Sequence, residues 1–147
     1  MEILKEANAI YTFRKDINNL IKFCPDRGGI ITDWTSNGQK ILYFDEKRFH
    51  DESKSIRGGI PVLFPICGNL EKKNLFGKDY IDLKQHGFAR NSKWDYKINT
   101  PNNSITLFLN DNEIIREYYP YAFELKIEYA LKVSSLTFNI HIFNKSK

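Results

Sequence analysis

Apolar and polar residues alternate with a period of two along most of this chain, in short runs closed by turn residues. Residues 9–15 form an apolar-aromatic run that ends at Asp16-Ile17-Asn18-Asn19, and residues 20–24 form a second that stops at Pro25-Asp26-Arg27-Gly28-Gly29. Residues 30–34 are predicted to pair with a returning strand at 40–44 across Ser36-Asn37-Gly38, because Asn-Gly accepts the positive φ of a tight primed turn. Residues 45–56 read as a polar surface loop. The apolar run 60–66 is broken by Pro61 and Pro65, so it is expected at a sheet edge or lining a cleft. Residues 69–84 read as another polar connection.

The second half alternates more strictly. Strands are predicted at 94–99 and 104–110 around the turn Pro101-Asn102-Asn103, with Ile105, Leu107 and Leu109 on one face. Residues 111–117 read as a short helical turn or loop. A strand from 123 to 129, continued by Leu131 and Val133, turns at Ser134-Ser135 into a last one at 136–143. This spacing predicts an antiparallel all-β sandwich, one domain over 1–147, without βαβ units or a phosphate loop ahead of a helix.

Composition narrows the partners. The net charge is +4, yet the basic residues are dispersed among acids with no run of five like charges, which argues against nucleic acid and leaves anionic small molecules open. Cys24 and Cys67 make neither a CxxC pair nor a disulfide framework. The charged start is no signal peptide and no stretch reaches 18 apolar residues, so no membrane is expected and a cytoplasmic setting fits.

Two segments carry candidate chemistry. Arg57-Gly58-Gly59 sets exposed backbone beside a cation, suited to anions or hydroxyls. In an extended segment, His86, Phe88 and Arg90 would share one face along roughly 13 Å. On the residues alone, a plain turn, a structural histidine and a solvated arginine account for the same pattern.

Together, Ile56-Arg57-Gly58-Gly59-Ile60-Pro61, Phe64-Pro65, Gly68 and Gln85-His86-Gly87-Phe88-Ala89-Arg90 with Trp94 resemble the aldose 1-epimerase superfamily, most closely its hexose-6-phosphate mutarotase branch. The Pro25–Gly29 turn, the 41–45 strand and Tyr119-Pro120-Tyr121-Ala122-Phe123 fit the same pattern, so the resemblance runs from about residue 8 to 144. It implies a galactose mutarotase-like β-supersandwich, a sugar or sugar phosphate as partner, and interconversion of α and β anomers by acid–base proton transfer without cofactor or metal. By the same resemblance His86 hydrogen-bonds the sugar and assists near its ring oxygen, while Arg57 and Arg90 hold hydroxyls or a phosphate through the planar guanidinium fork. Phe88 and Trp94 are expected to be scaffold.

The family's second histidine, in a His-Pro-Tyr-Phe-like motif, and its glutamate base have no match here. His50, His141, Glu113, Glu117 and Glu124 do not correspond to them. The expectation is therefore the N-terminal part of a longer family domain, truncated at Lys147 ahead of the family acid and base, and impaired alone. Alternatives are a non-catalytic carbohydrate-binding module and one half of a split enzyme. Uncovered strands would then favour self-association or a complementing C-terminal half.

Overall fold

A computed structural model describes residues 2–6, 9–70 and 83–146. Among these the chain builds two antiparallel sheets. The first contains β1 (Glu2–Lys5), β2 (Tyr11–Asp16), β3 (Asn19–Cys24), β4 (Ile30–Ser36) and β5 (Gln39–Lys40), in chain order. The second contains β6 (Asp95–Asn99), β7 (Ser104–Asn110), β8 (Phe123–Leu131) and β9 (Leu136–Asn144), also in chain order. Consecutive hairpins throughout agree with the predicted sandwich.

Local chemistry explains the joints. Asn37 and Gly38 both take positive φ, 50° and 76°, as a primed hairpin turn requires. Asn112 opens α2 (Glu113–Tyr118), its Oδ1 accepting from the Ile115 N–H at 2.9 Å. The two sheets share one core in which Phe13, Ile21, Phe23 and Ile31 are buried together with Ile105, Leu107, Leu125 and Ile127. β3 touches β8 across the interface, and Ser36 Oγ donates to the Val133 carbonyl at 3.4 Å, tying the end of β4 to the β8–β9 turn.

Three expectations need correction, and one strand was not foreseen. β5 returns for two residues only; beyond it Ile41 N–H still donates to Trp34 O, and the chain then pairs with the 57–59 segment through the Phe44–Gly58 bridge. The reason is that residues 57–60 take up the pairing the longer strand would have used: Ile60 pairs with Ile31. The 45–56 loop contains α1 (Glu46–Phe49), capped by Asp45 Oδ1 on the Arg48 N–H at 2.9 Å and anchored by buried Phe49. β1 was not predicted; its charged residues face solvent, with Glu2 paired to Arg14. The extended 86–90 segment is replaced by a turn, described below. Of the polar connection at 69–84, residues 71–82 lie outside the described residues. Among the described residues no helix is long and apolar enough to cross a membrane.

Candidate active site

Glycines lock the two motif segments into the sandwich. The first segment lies against β4 and the 43–44 stretch: Gly59 N–H donates to Tyr43 O and Ile60 N–H to Ile31 O, both at 2.8 Å. A Cβ on Gly58 would stand 2.2 Å from Tyr43 O, and one on Gly59 2.5 Å from Ile31 O, so only glycine permits this approach. Arg57 is left exposed at the rim, its carbonyl accepting from the Asp45 N–H at 3.1 Å.

The second segment docks on the first. Phe64 O accepts from the N–H groups of Phe88, at 3.0 Å, and Ala89, at 3.3 Å. A Cβ on Gly87 would sit 2.1 Å from that same carbonyl. His86 and Gly87 take positive φ, 69° and 72°, and residues Ala89–Asn91 form a single 3-10 turn. The expected row of His86, Phe88 and Arg90 on one extended face is therefore absent. Tertiary contacts to Phe64 bend the chain instead, turning Phe88 into the core against Phe64, Tyr119 and Phe123, with ring centroids 5.7 Å apart in each pair. Phe88 and Trp94 are scaffold, as expected; the Trp94 Nε1–H donates to Ala89 O at 2.9 Å. The Pro25–Gly29 turn clasps the far end: Gly28 N–H donates to Ser92 O and Trp94 N–H to Pro25 O.

His86 is half-buried and its Nδ1 accepts the Gly68 N–H at 2.9 Å. The other two histidines stand elsewhere. His50 ends α1, 3.7 Å from Glu46, and His141 is exposed on β9, stacked on Phe143. Gly68 was legible only as a motif member; the signal for its role is a residue at φ 102°, a conformation that glycine alone adopts readily.

The arginines divide in a telling way. Four of the six have side-chain partners: Arg14 with Glu2, Arg27 with Lys54 O and the Phe49 ring, Arg48 with Ser55, and Arg116 with Asp111. Arg57 and Arg90 have no hydrogen bond, ion pair or ring contact from their guanidinium groups among the described residues. Two uncompensated guanidinium groups on segments joined at Phe64 and Gly87 leave positive potential and ten unused donors for an anion or polyol. The neighbouring hollows take other residues. One of about 830 Å³ is lined by Arg27, His50 and Lys54, one of about 300 Å³ by Leu83, Phe88 and Tyr118, and Lys84 and Asn91 border both. Cys24 lines the larger one, and burial pushes its thiol pKa up, which suits packing rather than nucleophilic chemistry. Among the described residues no group of His, Cys, Asp and Glu is arranged to hold a metal ion.

Comparison with known proteins agrees with this architecture. The profile of the family described as aldose 1-epimerase matches residues 10–147. A Cenchrus ciliaris protein carrying the provisional name glucose-6-phosphate 1-epimerase is 33% identical over 113 residues, 71% of this chain and 31% of that protein. The solved Slr1438 protein of Synechocystis sp. PCC 6803 superposes with a TM-score of 0.85 at 42% identity, over 98% of this chain and 51% of the other. A galactose mutarotase related enzyme from Lactobacillus acidophilus superposes with a TM-score of 0.73 at 30% identity, over 93% of this chain and 44% of its own. The chain thus spans about a third to a half of the length of these relatives.

Proposed function

Because the chain belongs to the aldose 1-epimerase family, we propose that it holds a hexose 6-phosphate for interconversion of its α and β anomers. The observation that supports this reading is that Arg57 and Arg90 have no guanidinium partner among the described residues and lie, with His86, on two segments joined at Phe64 and Gly87 and fixed by glycine contacts. Arg57 and Arg90 bind the phosphate or hydroxyls, and His86 donates to a sugar oxygen near the ring. Anomer exchange needs an acid at the ring oxygen and a base at the anomeric hydroxyl. Among the described residues no carboxylate bonds to His86, and neither His50 nor His141 shares its segment. In this reading the 147 residues are part of a longer family domain, and the proton-transfer pair comes from polypeptide outside them.

A second reading, a sugar-phosphate binding module without turnover, is favoured by the same lack of an acid–base pair. A complementing polypeptide has a natural seat on β9, whose Phe138, Ile140 and Ile142 form an exposed apolar row. Titration with glucose 6-phosphate against glucose tests the binding role. Saturable binding of the phosphate sugar is expected, weakened on the order of tenfold or more by Arg57→Ala and by Arg90→Ala, since a charge-assisted bond contributes about 1.5–3 kcal/mol. Equal affinity for glucose, or indifference to both substitutions, would contradict the reading.

A further inference from the structure

His86 holds a left-handed backbone, φ 69°, that a non-glycine residue adopts only where its surroundings impose it. Gly68 is what it meets. The His86 N–H donates to Gly68 O at 2.8 Å, and the Gly68 N–H donates back to His86 Nδ1 at 2.9 Å. One glycine therefore grips both the backbone and the ring of one histidine.

The requirement at Gly68 differs from that at the other motif glycines. Cβ atoms on Gly58, Gly59 and Gly87 would collide with backbone, whereas one on Gly68 would meet nothing within 4 Å. Space does not demand glycine there; the backbone at φ 102° does, and it is this conformation that aims the Gly68 N–H at the ring. An Nδ1 that accepts cannot carry the proton of a neutral imidazole, so that proton sits on Nε2.

We propose that Gly68 is a positioning residue, which fixes His86 as its Nε2–H tautomer so that the ring presents a hydrogen-bond donor to an oxygen acceptor of the ligand. His86 then stabilises a sugar oxygen and cannot itself act as the base at Nε2. The identity of the ligand rests on the function proposed above; the tautomer and its cause do not.

The test begins with the ligand-free, ¹⁵N-labelled chain. A through-hydrogen-bond ¹⁵N–¹⁵N coupling between the Gly68 amide and His86 Nδ1, with the proton on Nε2, is expected. An Nδ1–H ring, a ring averaging between tautomers, or no coupling would overturn the proposal. In Gly68→Ala, with the Trp94 indole resonance unchanged as evidence of folding, the coupling should vanish and glucose 6-phosphate should bind about five- to tenfold more weakly. A folded variant that keeps the tautomer and the affinity would also overturn it; should the variant fail to fold, the wild-type spectrum decides. If glucose 6-phosphate fails to bind the wild type, the functional reading falls while the spectrum still judges the grip.

Discussion

Strands β8 and β9 lie side by side from the Phe123–Asn144 pair to the Leu131–Leu136 pair, and both alternate in sequence. Directly paired residues of antiparallel strands point to the same face. Yet Leu125, Ile127 and Tyr129 are each 1% exposed, while their partners Ile142, Ile140 and Phe138 are 58%, 54% and 52% exposed. The difference lies in what stands opposite. The first sheet reaches β8 through β3 and stops at the β8–β9 turn, where Ser36 meets Val133. Alternation marks which face is apolar; a second layer decides whether that face is buried. β9 also carries no Asp, Glu, Lys or Arg, the residues that commonly guard an open edge.

The largest effect should come from truncating matched isoleucines. Ile127→Ala should lose about 2–5 kcal/mol in urea denaturation, the range for a large-to-small change in a packed core. Ile140→Ala, one strand over, should lose less than about 1 kcal/mol. Equal losses would show that β9 is covered in solution.

A smaller contrast concerns the ends of the same two strands. Asp111 Oδ1 accepts the Phe123 N–H at 2.9 Å, and its other oxygen pairs with Arg116, fastening α2 to the start of β8. Burial opposes the Asp111 charge, but the Phe123 amide and Arg116 outweigh it and hold its carboxyl below the usual aspartate range. A folded-state pKa below the unfolded one stabilises fully above the unfolded value, and that stability is lost as pH falls through the folded value. Asp111→Asn should cost about 1–3 kcal/mol near neutrality and flatten the acid limb of a stability–pH curve. Glu124, held low chiefly by hydrogen bonds from Lys126 and Lys145, joins β8 to the residue after β9. Glu124→Gln should cost less than Asp111→Asn, and its effect should fade in high salt.

The hairpin signals and strict alternation made β7, β8 and β9 legible in sequence almost to the residue, because each pattern is local. β5 and the bend at 86–91 were not, since their shapes come from backbone contacts with distant partners, Ile31 to Ile60 and Phe64 to Gly87. The exposure of β9 was likewise beyond local pattern, because Phe138, Ile140 and Ile142 read like core residues until the reach of the opposite sheet is known. At the site, the segments of Arg57, His86 and Arg90 were legible as motifs. What set their two arginines apart from the other four, the lack of a guanidinium partner among the described residues, emerges only in three dimensions.

In the proposed function these 147 residues hold the sugar phosphate while the acid and base come from elsewhere. Exchange NMR of the α and β anomers of glucose 6-phosphate tests it most directly. With the chain alone at catalytic concentration, the exchange rate should equal that of buffer although the sugar binds. Adding the polypeptide that corresponds to the remaining half of the Synechocystis relative should accelerate exchange, and His86→Ala should reduce that acceleration. Acceleration by the chain alone, abolished by His86→Ala, would contradict the claim.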